Sequence, residues 1–167
     1  MGGRVFLEAL HPPNSPGGGP YGPAIGYYEN VKIIGLDKDG GMGRKGQLDG
    51  VDFDRGMIYE DKSGVQTRPE DYEKWAAKNV YTKLDNKIRD VMNGSDTIVD
   101  VEPGSSPAVP CIESVQSIKK YEVWVKNASP EMQYEVNHQI ELLNKKWGKR
   151  GYEITVQYGE RPRPEPN

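Results

Sequence analysis

Residues 48–64 read LDGVDFDRGMIYEDKSG, and this stretch decides the fold that we predict. The stretch reads as a strand, a tight turn at FDRG (53–56) in which Gly56 can supply a positive φ, and a second strand. Asp49 lies at the start of this hairpin, and Glu60 and Lys62 lie in its second strand. Side chains alternate between the two faces of a strand, so Glu60 and Lys62 should point to the same face.

Two carboxylates and one lysine on a shared sheet face are suited to phosphodiester hydrolysis assisted by a hard divalent metal ion. We expect Asp49 and Glu60 to bind Mg²⁺, with Mn²⁺ as a substitute, and Lys62 to position water or offset developing negative charge. Asp52 is an alternative first acid, and we interpret Asp54 as a turn residue. The structural alternative is an exposed edge strand that carries ordinary surface charges.

The composition limits the class of protein. The chain has 167 residues, enough for one domain with its own core, and a net charge of −3, which argues against binding nucleic acid through overall charge. Its single cysteine excludes an internal disulfide and fits a reducing compartment. We find no apolar run of transmembrane length and no signal-peptide core. Export would therefore need a carrier or a secretion machinery.

The rest of the chain divides into three parts. Residues 1–26 are a Pro/Gly-rich segment, residues 27–159 contain the predicted domain, and residues 160–167 are a polar, Pro-rich tail that we expect to be frayed. Within the domain, 27–34 is a short amphipathic helix or strand. We expect loops over 36–46 and 95–116.

The apolar spacing predicts helices over 69–93 and 130–147. Strands predicted at 121–126 and 152–158 flank the second helix, so part of the sheet should be parallel or mixed. In the first helix, Asp85-x-Lys87 has the same residue types as the hairpin motif. Positions i and i+2 of a helix do not share a face, so we expect a solvated pair there.

Several motifs in a fixed order resemble those of one known family. In chain order they are YYENVKIIG (27–35), LDG (48–50), FDRG (53–56), YEDKSG (59–64), KYEVWVK (120–126), the helix at 130–147 and YEITVQYG (152–159). Together they resemble the restriction-endonuclease-fold toxin domains of bacterial polymorphic toxin systems, in the PD-(D/E)XK nuclease superfamily. The resemblance covers residues 27–159.

The resemblance implies an α/β fold: a restriction-endonuclease-like α/β/α sandwich with a central mixed β-sheet and a first helix at 27–35. It implies Asp49, Glu60 and Lys62 as the catalytic core, and Glu29 as a first-helix acid that assists the metal ion or the water. It also implies a Mg²⁺-dependent endonuclease whose substrate is DNA, with RNA as the alternative.

The family further implies a role in competition between bacteria. Such a toxin is delivered without a signal peptide, acts in the cytoplasm of the target cell and is inhibited by a cognate immunity protein. We expect no membrane segment. The alternative from another functional class is a non-catalytic binding or adaptor module, in which the hairpin is only a solvated sheet edge.

Overall fold

The computed structural model describes residues 7–10, 25–64, 67–101 and 109–165. Within these residues the chain forms a seven-stranded mixed sheet in the order β1-β5-β2-β3-β4-β6-β7. The strands are β1 (Leu7–Leu10), β2 (Tyr27–Leu36), β3 (Met42–Asp52), β4 (Met57–Ser63), β5 (Asp96–Val101), β6 (Lys120–Lys126) and β7 (Glu153–Tyr158). The predicted α/β class with a mixed sheet is confirmed.

Both predicted helices are present. The first comprises a 3₁₀ turn (Pro69–Asp71), α1 (Tyr72–Ala76), a π-helical turn (Ala77–Thr82) and α2 (Lys83–Met92). The others are α3 (Ile112–Gln116), α4 (Pro130–Trp147) and a 3₁₀ turn (Gly148–Arg150). Helix α4 begins where the Ser129 side chain accepts a hydrogen bond from the Met132 amide, with Pro130 at the first helical position.

The parallel part of the sheet follows the predicted β-α-β unit. β4 pairs with β6, and β6 pairs with β7, both in parallel, and α4 connects β6 to β7. Because the three strands run in one direction, their amino-terminal ends meet at the same edge of the sheet.

The predicted hairpin is confirmed, with one difference in length. Gly50 pairs with Tyr59 across β3 and β4, and Gly56 in the turn has a φ of 63°. However, β3 begins at Met42, which pairs with Leu36, so the loop predicted over 36–46 is wrong for its second half. Pairing with β2 extends the strand as far as the turn at Asp37, whose carboxylate accepts hydrogen bonds from two backbone amides.

Residues 27–35 form a strand, so the first helix that the resemblance implies is wrong. β2 pairs with β3 on one side and with β5 on the other, both antiparallel. The β-branched residues Val31, Ile33 and Ile34 are all buried there, as in the interior of a sheet. The position of this segment between two strands determines its conformation, although its amphipathic pattern is also compatible with a helix.

The loop predicted over 95–116 is also wrong in part, because β5 and α3 fall within it. Thr97 and Val99 are buried at alternate positions of β5, and Ile112 and Val115 are buried on α3. Both elements are short, so each carries too few apolar residues for its period to be recognised. Residues 102–108, with two of the prolines that suggested a loop, lie outside the described residues.

The two ends of the chain differ from the expected irregular segments. β1 lies inside the Pro/Gly-rich segment 1–26 and pairs with β5, while 11–24 lie outside the described residues. At the other end Arg161 is only 4% exposed, so the frayed tail that we expected is wrong at this position. Its guanidinium is bonded to the sheet, which holds the tail in place.

The core lies between the sheet and the helices. α1 contacts α4, and α2 contacts α3. The predicted apolar stripes supply the buried residues of both long helices: Ala76, Val80, Leu84, Ile88, Val91, Met132, Val136, Ile140, Leu143 and Trp147. Among the described residues no helix has the length and apolar character needed to cross a bilayer.

Candidate functional site

Glu60 is the buried acid of the site. Its residue is only 2% exposed, although glutamate is almost never fully buried unless it is paired. Alternation along β4 puts its side chain on the same face as Ile58, and its cross-strand partner on β6 is Val123. Both neighbours belong to the hydrophobic core, so the carboxylate lies at the boundary between the sheet and the helices.

Two lysines flank this carboxylate, one on each oxygen. Lys62 Nζ lies 3.5 Å from Glu60 Oε2, as expected for two residues on one face of β4. Lys87 Nζ, from α2, lies 3.6 Å from Glu60 Oε1 and also donates a hydrogen bond to the Gln47 carbonyl oxygen. Both lysine side chains are less than 20% exposed. The site therefore combines strand β4 of the hairpin with helix α2, which lies outside the hairpin.

Asp49 joins the site where the two hairpin strands separate. The β3–β4 pairing ends at Gly50 and Tyr59. Beyond this pair, Asp49 Oδ2 accepts a hydrogen bond of 2.8 Å from the Asp61 backbone amide, so the side chain takes the place of a ladder bond. This contact holds the Asp49 carboxylate beside β4, one position from Glu60.

The electrostatics of the site disfavour the charged form of Glu60. Burial and, to a smaller extent, the Asp49 carboxylate raise the pKa of Glu60 to about 7, against the opposing effect of Lys87 and Lys62. Glu60 Oε1 has no hydrogen-bond partner. A buried oxygen left without such a partner is unfavourable, and groups of this kind concentrate at functional sites.

The donor set fits a hard divalent cation. Within the described part of the chain there is no group of three or more potential protein ligands. Mg²⁺ is often held by only one or two carboxylates, because it keeps several waters and takes other oxygens from phosphate. Asp49 and the Glu60 oxygen that accepts no hydrogen bond, Oε1, are a donor set of this kind.

Glu29 belongs to a different cluster. Its Oε1 accepts a hydrogen bond of 3.3 Å from the Tyr27 hydroxyl and lies 3.5 Å from Arg163 Nη1. Tyr27 is in turn bonded to Arg161, which contacts Asp61. Asp61 and Glu60 are adjacent on β4 and so point to opposite faces of the sheet. The structure therefore brings Asp49, Glu60 and Lys62 together and does not add Glu29 to them.

The other acids of the hairpin serve its turn. Asp52 Oδ1 accepts a hydrogen bond of 3.0 Å from the Arg55 backbone amide, and Asp54 Oδ1 accepts one of 3.1 Å from the Gly26 amide. The interpretation of Asp54 as a turn residue agrees with this contact. Asp52 has the same kind of role, so Asp49 is the better first acid.

Sequence reasoning missed Lys87, and the expected solvated Asp85–Lys87 pair is wrong. Asp85 is buried, accepts a hydrogen bond of 2.9 Å from Trp147 Nε1 and lies 2.7 Å from Lys146 Nζ. A signal for Lys87 was available: it lies three residues after Leu84 and four before Val91, on the edge of the apolar stripe. A lysine on that edge reaches toward the sheet.

Comparison with protein-family models, with curated proteins and with solved structures finds no match to this chain.

Proposed function

We propose that this protein is a Mg²⁺-dependent endonuclease that hydrolyses phosphodiester bonds of DNA. The observation that supports this most is the buried carboxylate of Glu60, which has one oxygen without a hydrogen-bond partner and lies beside a second acid and two lysines. Such an arrangement is costly for stability, since a buried carboxylate loses its hydration. A role in binding a cation explains why it is kept.

In this proposal each residue of the site has a separate role. Asp49 and Glu60 would hold Mg²⁺, which when bound supplies Lewis-acid polarisation of the phosphodiester and activation of the attacking water. Lys62 offers three N–H donors that can orient the attacking water and offset negative charge as it develops on the phosphate. Lys87, whose ammonium lies 3.6 Å from Glu60 Oε1, would fix the direction of that carboxylate.

The order of the elements supports the finer fold assignment, a restriction-endonuclease-like sandwich. A hairpin and a long helix are followed, after the inserted β5 and α3, by a strand parallel to the second hairpin strand, a further helix and a last parallel strand. Apart from the insertion, this is the order that the sequence motifs imply for residues 48–159. The insertion of β5 and α3 and the strand at 27–36 are departures from it.

The toxin part of the proposal is supported by the order and spacing of these motifs. As a toxin domain the protein would be delivered to the cytoplasm of a target cell and neutralised by a cognate immunity protein. Expression in bacteria without that partner should then stop growth and degrade the nucleoid. A Glu60→Gln variant expressed to the same level should be harmless.

The direct test is incubation of the purified chain with plasmid DNA and with total RNA, each with Mg²⁺ and with EDTA. We expect plasmid cleavage that EDTA abolishes. Cleavage of RNA alone would assign an RNase on the same fold. A folded protein that cleaves neither substrate, with Mg²⁺ or with Mn²⁺, would favour the non-catalytic binding module.

A further inference from the structure

A polar cavity lies at the opposite end of β4 from Lys62. It has a volume of about 380 Å³, and it lies where the hairpin turn meets α3 and the start of β6. The parallel pairing of β4 with β6 brings these segments together, because the amino-terminal ends of both strands lie at one edge of the sheet. Six of the residues that line the cavity matter here: Phe53, Arg55, Ser114, Ser117, Lys119 and Lys120.

The lining carries positive charge and no acidic side chain. The cationic side chains are those of Arg55, Lys119 and Lys120. In the part of the chain that the structure describes, none of them makes an ion pair with a carboxylate. Arg55 Nη1 donates a hydrogen bond of 2.6 Å to the Tyr59 hydroxyl, and Lys119 Nζ donates one of 3.1 Å to the Tyr152 hydroxyl. Both hydrogen-bond partners are tyrosine hydroxyls and not carboxylates, although the whole chain has a net charge of −3.

The other lining groups limit what the cavity can bind. The Ser117 hydroxyl donates its proton to the Ser114 carbonyl oxygen at 2.6 Å, so that proton is not available to a ligand. Phe53 is half-buried and makes an edge-to-face contact with Tyr28, which fixes one wall. The charged donors in the lining are the ammonium and guanidinium N–H groups, and the Ser114 hydroxyl lies 3.1 Å from Cys111 Sγ. Guanidinium and ammonium groups together are suited to phosphate oxygens.

We propose that this cavity binds a phosphate group. The source is either a backbone phosphate of a nucleic acid or a free phosphate compound, and both present the same oxygens to Arg55, Lys119 and Lys120. The nucleic-acid source rests on the proposed nuclease function. Lys62 lies five positions after Met57 on β4, about 17 Å of extended strand. A duplex in the cavity would therefore contact it on the order of five base pairs from the cleavage site.

The test compares two triple variants of equal charge in the presence of EDTA, so that no cleavage takes place. The first replaces the cavity cations: Arg55→Gln, Lys119→Gln and Lys120→Gln. The control replaces three exposed lysines of the first long helix: Lys74→Gln, Lys78→Gln and Lys83→Gln. The probes are inorganic pyrophosphate, followed by calorimetry, and a fluorescein-labelled 16-base-pair duplex, followed by anisotropy over a series of salt concentrations.

The proposal predicts saturable pyrophosphate binding in the wild type and in the control, and at least tenfold weaker binding in the cavity variant. No pyrophosphate binding to the wild type, or equal binding to both variants, would overturn it. A duplex affinity and salt dependence reduced only in the cavity variant assign the site to nucleic acid. Unchanged duplex binding in that variant, together with loss of pyrophosphate, assigns it to a free phosphate compound.

These outcomes are separate from those of the nuclease assay. Pyrophosphate binding needs neither Glu60 nor Lys62, so a chain that binds pyrophosphate and cleaves nothing supports the cavity and refutes the nuclease. All three substituted cavity residues are exposed. If the cavity triple variant nevertheless melts early, the single variant Lys120→Glu provides the same comparison with one surface change.

Discussion

Two adjacent carboxylates on β4 show how differently the two faces of this sheet are used. Glu60 faces the helices with one oxygen lacking a hydrogen-bond partner and with lysine ammonium groups at 3.5 and 3.6 Å. Asp61 faces the other way, and both of its oxygens accept hydrogen bonds from arginines. Both oxygens of Asp61 therefore have hydrogen-bond partners, while one oxygen of Glu60 has none. A buried polar group without a hydrogen-bond partner is the one to examine for function.

The cluster around Asp61 is built as an anchor. Arg161 forms a two-point contact with it at 2.8 and 2.9 Å, donates a hydrogen bond of 2.6 Å to the Tyr27 hydroxyl and lies 4.6 Å from the centre of the Tyr59 ring. The Asp61–Arg161 contact joins two residues 100 positions apart in the chain. It fixes the C-terminal segment against β2 and β4, and so supports the strand that carries Glu60.

The largest expected effect on stability is at Asp61. Asp61→Ala leaves the Arg161 side chain, which is 1% exposed, without its ionic partner. Loss of one partner of a buried pair should lower the free energy of unfolding by about 3 kcal/mol. Chemical denaturation measures it. Cleavage measured well below the melting temperature should remain within a few-fold of wild type.

Glu160→Ala is the matched control for Asp61→Ala. Glu160 is 71% exposed and lies 3.6 Å from Lys126 Nζ, so its removal should change stability by about 0.5 kcal/mol or less. Equal effects of the two substitutions would show that the arginine contact is not an anchor.

Lys62 separates chemistry from packing on the other face. Lys62→Met keeps most of the carbon stem and removes the ammonium group. We expect cleavage to fall on the order of 100-fold, about 2.7 kcal/mol of transition-state stabilisation, with a melting temperature close to wild type. Single-turnover rates with plasmid DNA measure this. Lys78→Met, an exposed helical change, should leave the rate unaltered, and an active Lys62→Met would remove this lysine from the mechanism.

Replacement of Lys87 should have a smaller effect on cleavage than replacement of Lys62, and it should affect cleavage and Mg²⁺ binding in opposite directions. Its ammonium holds Glu60 Oε1 in place, but it also repels a cation at that oxygen. For Lys87→Met we therefore expect about tenfold slower cleavage, about 1.4 kcal/mol, together with tighter Mg²⁺ binding. Lys83→Met on the same helix is the control. A variant with normal cleavage and normal Mg²⁺ affinity would make the Lys87 contact incidental.

The smallest effect should be at Glu29. Its contacts are with Tyr27 and Arg163, on the side of the Asp61 cluster. Glu29→Gln should keep the hydrogen bond with Tyr27 and lower the cleavage rate by less than about threefold, which corresponds to well under 1 kcal/mol. A loss as large as that of Lys62→Met would return Glu29 to the catalytic site.

Local patterns in the sequence predict much of this molecule. The two long helices and the last β-α-β unit have a clear period of 3.6 or two, the hairpin is marked by its turn residues, and the three core site residues lie within or beside the hairpin. The short elements β5 and α3 are not predictable in this way. Their few apolar residues acquire a place only from the sheet and from α2.

Contacts between distant parts of the chain account for the remaining errors. Lys87 meets Glu60 because α2 crosses β3, and Arg161 meets Asp61 because the tail returns over the sheet. The apolar stripe places Lys87 toward the sheet, but no local pattern identifies Glu60 as its partner or Asp61 as the partner of Arg161. The burial of Asp85, which contacts Trp147 and Lys146 of α4, likewise depends on the packing of two helices.

Calorimetric titration with Mg²⁺ tests the central claim most directly, because it asks whether the Glu60 face binds a cation and the Asp61 face does not. The wild type and Asp61→Asn are titrated at pH 8 beside Glu60→Gln, which has nearly the same shape without the charge. We predict saturable binding to the first two proteins and loss of at least tenfold in affinity for the third. Equal binding to the wild type and Glu60→Gln, or none to the wild type, would contradict the account.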